Sequence, residues 1–244
     1  MGGRETRIAL LVPFDTSNDR ELWRWCPDDA TLLITRTGFH DGLLGVALAE
    51  ATADADDVRF ATRSVMAADP GVVTFACTSG SFVAGLDGER ALHRAMRWAG
   101  AGRTTTTSGS MLDAFAALGL RRIALATPYP ADIGEKLVEF VEEAGYEAVS
   151  LENLGLPHGE AIQSTSDDDI IELARAPDRP AADAIFLSCT GLGTLDLVAR
   201  AEQRLGKPVL TAIQVTMWGA LRAAGLRPPV SGQALLAAAT GVPA

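Results

Sequence analysis

Two cysteines, Cys77 and Cys189, stand in closely similar surroundings. Val72-Val-Thr-Phe-Ala-Cys77-Thr78-Ser-Gly and Ala184-Ile-Phe-Leu-Ser-Cys189-Thr190-Gly each read as an apolar strand, a small residue, Cys, Thr and a turn, close to half the chain apart. In open parallel sheets ligands bind beyond the carboxyl ends of the strands, and both corners fall at such ends. A helix is expected after each corner. Its N-terminus would supply N–H donors that hold a carboxylate, and a positive dipole end that lowers a thiol pKa toward neutrality. Thr78, Ser79, Ser81 and Thr190 add hydroxyls. Two thiols beside two anion holes suit carbon-acid or addition chemistry on a small carboxylate. A thiolate can take a proton from one face while a thiol delivers one to the other, or a thiolate can add to an electron-poor double bond. In both, the donors would stabilise an enolate-like state, at roughly 3–4 kcal/mol each. A single strand-end cysteine is ordinarily packing; the matched pair favours chemistry. Cys26, in Trp25-Cys26-Pro27, lacks this context and reads as structural.

The elements that must position this pair alternate. Strands are expected at Arg7–Val12, Thr31–Thr35, Val72–Ala76, Arg122–Ala126, Glu147–Leu151, Ala184–Leu187 and Val209–Ala212. Helices are expected at Gly88–Trp98, Ala131–Ala144, Asp168–Ala176 and Leu195–Leu205, with Gly145 ending the second. Strands that are apolar throughout and separated by helices indicate an α/β protein with parallel sheets covered on both faces. The repeated Cys-Thr corner suggests two similar halves whose loops meet in one cleft.

Other residues are weaker candidates. Asp15, Thr16 and Ser17 come directly after the first strand and either bind substrate or cap the next helix. Tyr129, just past a strand, is a phenol donor or a loop aromatic. His158 reaches the cleft or sits on a surface loop. His40 and His93 have no supporting neighbours, Gln214 is a remote cleft candidate and Trp218 reads as core. No G-x-x-x-x-G-K-[ST], no G-x-G-x-x-G after the first strand, no C-x-x-C, no H-E-x-x-H and no G-x-S-x-G is present, so nucleotide, zinc and serine-hydrolase readings lack their motifs. The chemistry therefore calls for no cofactor. With 31 acidic against 21 basic residues and a net charge of -10, nucleic acid and anionic membrane surfaces are disfavoured partners. An odd set of 3 cysteines points to a reducing cytoplasm.

Phe75-Ala-Cys77-Thr-Ser-Gly-Ser81, Thr106-Thr-Ser-Gly109, Ala124-Leu-Ala-Thr-Pro-Tyr129, Leu187-Ser-Cys189-Thr190 and Gly206-Lys-Pro-Val209 together resemble the aspartate/glutamate racemase superfamily. The likeness is to its branch of maleate cis-trans isomerases, arylmalonate decarboxylases and EutA-type proteins. The resemblance implies two Rossmann-like (flavodoxin-like) halves with pseudo-twofold symmetry, placed here at residues 1–105 with 212–244 and at 106–211, with substrate in the cleft between them. It implies Cys77 and Cys189 as the catalytic pair, and an oxyanion pocket of Thr78, Ser79, Tyr129 and Thr190. Decarboxylases of the branch keep only the second cysteine, so Cys77 favours a cofactor-independent isomerase, with Cys77 as nucleophile or base and Cys189 as general acid. A racemase or a decarboxylase is the alternative, and a non-catalytic carboxylate-binding relic is a third. Maleate isomerases carry an Asn where Thr16 stands, beside the added Asp15, and a second Asn near His158, so recognition of the substrate differs there. The expected partner is a small carboxylate or dicarboxylate; homo-oligomers are common in such folds.

Overall fold

The computed structural model describes residues 5–238. β1 (Thr6–Val12) is buried from Ile8 onward, which is why its sequence is apolar at successive positions rather than alternating. It pairs in parallel with β2 (Ala30–Arg36) and with β3 (Val72–Phe75), and β4 (Thr104–Thr106) extends the sheet, in the order β2-β1-β3-β4. A second parallel sheet repeats the pattern as β6-β5-β7-β8, from β5 (Arg122–Thr127), β6 (Glu147–Asn153), β7 (Ala184–Leu187) and β8 (Val209–Thr211). β3 and β7 hold equivalent places. Cys77 and Cys189 each sit just beyond one of them, so the repeat seen in the sequence is a repeat of architecture.

The first sheet is served by α1 (Asp19–Arg24), α2 (Val46–Thr52), α3 (Ala55–Met66), α4 (Thr78–Phe82) and α5 (Gly85–Trp98). α6 (Thr107–Ala117) leads to the second sheet, with α7 (Ala131–Glu143), α8 (Gly159–Gln163), α9 (Asp167–Arg175) and α10 (Val198–Leu205); α11 (Ala212–Ala223) and α12 (Ala234–Ala238) end the described chain. Local signals account for several boundaries. The Asp54 carboxylate accepts from the N–H groups of Asp56 and Asp57 to start α3, as an N-cap should. Gly145 at φ +86° ends α7, a left-handed position open to glycine.

α6 and α11 tie the halves together. The Thr106 hydroxyl caps α6 by accepting from Gly109 N at 2.9 Å, and Thr211 with Gln214 forms a capping box on α11. The helices meet at a Thr107–Thr216 hydroxyl contact of 2.8 Å. A Cβ at Gly219 would fall on Ser110, so only glycine permits this approach. α11 carries Ile213, Met217 and Leu221 into the core around β1, while α6 carries Met111 and Phe115 into the core around β5 and β7. Gln214 is therefore buried in a cap, bonded to Gln233 at 2.8 Å, and lies outside the cleft; Trp218 is core, at 4% exposure.

The helix beginning beside Cys77 is anchored across the halves. Phe82 of α4 is fully buried, with its ring centroid 6.5 Å from those of both Tyr129 and Phe140. Phe82→Ala is expected to cost about 3–5 kcal/mol, read by denaturant unfolding. A loss below about 1 kcal/mol, far under the usual cost of such a truncation, would show that this contact does not anchor α4.

Candidate active site

The carboxyl ends of β1, β3, β5 and β7 face a cavity of about 50 Å³ that Cys77 and Cys189 both line. Cys77 is the N-cap of α4, and Gly80 N–H donates to its sulfur at 3.4 Å. The expected helix after Cys189 does not form. Residues 190–197 are turns, and α10 starts at Val198 rather than Leu195. Gly191 and Gly193 interrupt the segment, and Gly191 N–H donates to the Cys189 sulfur at 3.2 Å. Cys189 itself has φ +91°, a conformation that costs a non-glycine residue on the order of 1–3 kcal/mol and concentrates at functional sites.

The electrostatics reverse one expectation. Neither thiol is lowered toward neutrality. Burial pushes Cys77 up to about 12 and Cys189 up to about 11, and the negative charge of Asp15 adds to both. The Gly80 N–H and Ser79 hydroxyl at Cys77, and the Tyr129 phenol and the Gly191 and Leu192 N–H groups at Cys189, favour the thiolate and offset only part of this. Loss of water outweighs the two donors at Cys77 and the three at Cys189. Tyr129, 3% exposed, is raised well above the usual phenol value, chiefly by burial and then by Cys189. It therefore stays a hydrogen-bond donor.

The cavity gathers most of the candidates. Asp15, Thr16, Thr78, Ser79, Tyr129 and Thr190 line it with the two cysteines. The Thr78 hydroxyl is buried without a hydrogen-bond partner, a state that costs about 1–3 kcal/mol until something fills it. A substrate carboxylate would do so. The Thr190 hydroxyl already donates to the Ala76 carbonyl at 3.2 Å, and its own carbonyl accepts from Asn18 at 3.0 Å, so Thr190 also staples one corner to the other. Asp15 does not cap α1, whose N-cap is Asn18; its carboxyl packs against Gly159 and is raised by desolvation. Ser17 bonds the Gln163 side chain across the cleft. His158 is exposed at the start of α8 and does not line the cavity; Gly159 and Gln163 from the same segment do. His40 and His93 have partners after all, Asp57 at 2.8 Å and Glu89 at 2.8 Å. Cys26 is structural, its thiol donating to the Ala30 carbonyl at 3.3 Å. Among the described residues, no three His, Cys, Asp or Glu side chains gather as metal ligands, and no helix is long and apolar enough to cross a membrane.

Sequence reasoning missed the apolar wall. Leu44, Leu48 and Ala49 from α2 and the loop before it face Ile133 and Ile162 from the other half. The run Leu43-Leu-Gly-Val-Ala-Leu-Ala49 was the available signal, but it carries no polar face and so no helical stripe.

The arylmalonate decarboxylase family model matches residues 26–237. The chain belongs to the arylmalonate decarboxylase family. It is similar to an arylmalonate decarboxylase of Bordetella bronchiseptica, 38% identical over 159 residues, which span 63% of this chain and 65% of that protein. It is also similar to a maleate isomerase of Pseudomonas putida, 29% identical over 241 residues that span 94% and 96% of the two chains. A crystal structure of an arylmalonate decarboxylase mutant in the liganded form, with one glycine changed to cysteine and one cysteine to serine, superposes with a TM-score of 0.86 at 30% identity. That match covers 94% of this chain and 98% of the other. The family's relatives thus include both decarboxylases and isomerases, enzymes in either case. The expected α/β architecture of two parallel sheets is the family's fold.

The buried thiols make the fold sensitive to alkali. A thiol raised from about 9 to between 11 and 12 stabilises the fold fully below pH 9. Unfolding exposes a thiol that ionises sooner, so stability should fall as pH rises from 9 toward 12. Iodoacetamide labelling of Cys77 and Cys189 in the folded chain should accordingly be slow at pH 7–8 and accelerate only in strong alkali; rapid labelling at pH 7 would contradict the burial argument. At the strained corner, Cys189→Gly should be more stable than Cys189→Ala by about 1 kcal/mol, since only the alanine retains the strain. Equal thermal midpoints would remove strain from the account.

Proposed function

We propose that this chain is a cofactor-independent isomerase of the racemase type. It would move the α-proton of a small carboxylate that carries an apolar substituent, with Cys77 and Cys189 on opposite sides of the α-carbon. The observation that carries this reading is the placement of two thiols and one orphaned hydroxyl, Thr78, around a single cavity. The carboxylate would lie against Thr78, Ser79 and Tyr129, whose donors match the charge that grows as the α-carbon loses its proton. The apolar substituent would lie against Leu44, Leu48, Ile133 and Ile162. The lining residues include no Lys, Arg or Asn, so a second carboxylate would find no cation, and Asp15 would repel it. This argues against maleate as the substrate and against the alkene-addition variant of the isomerase reading.

The mechanism uses the high thiol pKa. A thiolate formed in this largely buried site is a strong base, better matched to a weakly acidic C–H than an exposed thiolate would be. It takes the α-proton, the enediolate forms against the donors, and the opposite thiol returns a proton to the other face. The thiolate is scarce at neutral pH, so kcat/KM should climb with pH toward the alkaline range.

Decarboxylation of a substituted malonate is the second reading, favoured by the family match and by thiols that are neutral at pH 7. Loss of carbon dioxide would leave the same enediolate, and one neutral thiol would protonate it. Its rate should be flat through neutral pH and fall only as the donor thiol ionises above about 11.

The two are separated by NMR in deuterated water with small 2-alkyl carboxylates, sized to the cavity, and by carbon dioxide release from the corresponding alkylmalonates. Solvent deuterium should enter the α-position of the monocarboxylate, and Cys77→Ser and Cys189→Ser should each slow exchange by at least about 100-fold. Carbon dioxide release without exchange would replace the first reading by the second. Full turnover in both serine variants would sink both readings.

A further inference from the structure

A second polar site lies away from the cleft, beside the N-terminal end of the edge strand β4. There α5, the β4 entry and the end of α11 border a shallow groove of about 570 Å³. Of its eight lining residues four are arginines, Arg90, Arg94, Arg97 and Arg103, and none is Asp or Glu. This concentration stands in a chain whose net charge is -10, so it is a local feature and not the overflow of a basic surface. Arg90, Arg94 and Arg97 recur at the three- and four-residue spacing that aligns side chains on one helix face.

The surroundings hold the groove in shape. His93 is fixed through both ring nitrogens, by Thr104 at 2.7 Å and Glu89 at 2.8 Å. Arg103 donates to the Ala223 carbonyl at 3.3 Å, and Arg90 pairs with Asp87 at 2.5 Å. Arg94 and Arg97 have no hydrogen bond or ion pair within the described residues. Two exposed guanidiniums without a bonded partner thus face a cavity walled by two more. Gly102 leaves the entry open, since a Cβ there would meet nothing within 4 Å.

We infer that this groove binds an oligophosphate. Guanidinium forks match phosphate oxygens two at a time, and four of them around one concave site suit several linked phosphates better than a single carboxylate. The chain's overall negative charge does not forbid this, because at physiological salt fields fade over about 8 Å. The phosphates could come from a nucleotide or from an inorganic chain.

Isothermal titration calorimetry of the full chain at low ionic strength, with tripolyphosphate and with ATP, tests the assignment. Saturable binding is expected, weakening as salt is added. Arg94→Ala and Arg97→Ala should each lower affinity by roughly tenfold, as the loss of a charge-assisted contact does, while Arg63→Ala, exposed on α3 and outside the groove, should not. Equal binding of the two probes would assign recognition to the phosphates alone, and tighter binding of ATP would add the nucleoside; both support the site. No saturable binding of either probe, or undiminished binding in the Arg94→Ala/Arg97→Ala double variant, would overturn it. Circular dichroism of the variants separates loss of the site from loss of the fold.

Discussion

The removal of water from two thiols governs how this site can work. Cys77 is 4% exposed, and Cys189 is half-buried and lines the same cavity. That enclosure comes from putting the ends of two parallel sheets face to face, and it sets the protonation state of everything inside. The local N–H donors at each sulfur are the devices that would make a reactive thiolate in an open site. Here they only moderate a rise that burial causes. The site thus holds its protons tightly, a property suited to exchange with carbon and poorly suited to fast attack as a free nucleophile.

Enclosure depends on contacts that cross between halves. Glu21 of α1 accepts from the N–H groups of Thr194 and Leu195 at 3.0 and 2.9 Å, and Arg24 holds Asp196 with two bonds of 2.6 Å. Asn18 reaches the Thr190 carbonyl. Together they fix the turn after Cys189, the segment that lacks a helix to order it. Burial raises Glu21 to about 7 despite these donors, so the clamp is under electrostatic tension near neutral pH. Opposite it, Leu44 N–H donates to the Pro157 carbonyl at 2.9 Å and draws the apolar wall over the cavity. The exposed ion pairs elsewhere contribute little by comparison.

The strands and the thiol pair were legible because their signals are local. A short run such as Ile8-Ala-Leu-Leu-Val12, rich in β-type residues and set between loops, suits a strand covered on both faces. The two Cys-Thr corners announced their equivalence by repetition. What escaped depended on tertiary context. The four threonines Thr104–Thr107 fall in none of the expected elements, yet they form the edge strand β4 and the start of α6, because Thr suits both roles. α2 was hidden by having no polar face. The helix expected after Cys189 failed because the two glycines nearby favour turns. The direction of the thiol pKa was misread for a deeper reason. Dipoles and donors can be inferred from the residues next along the chain, whereas desolvation is set by everything that packs around a group. His158, placed by analogy with a family asparagine, points to solvent for the same reason: position along the chain is not position in the cleft.

Desolvation also bears on which substrate the proposed reaction would favour. A carboxylate entering a dry site must exchange its hydration shell for fixed donors, and a charged group left unpaired there costs several kcal/mol. One end of this cavity supplies such donors, including the buried, unpartnered Thr78 hydroxyl. The other surfaces are largely apolar, and Asp15 carries the wrong sign for a second anion. A dicarboxylate would therefore have one favourable end and one penalised end. For a stable dicarboxylate such as maleate that asymmetry only weakens binding. For a malonate it destabilises the carboxylate about to leave as neutral carbon dioxide, while the donors hold the one that remains. For a monocarboxylate with an apolar substituent it is simply a good fit. On the proposed reading, proton exchange and decarboxylation are both reactions in which the penalised end would either carry no charge or lose it as the reaction proceeds.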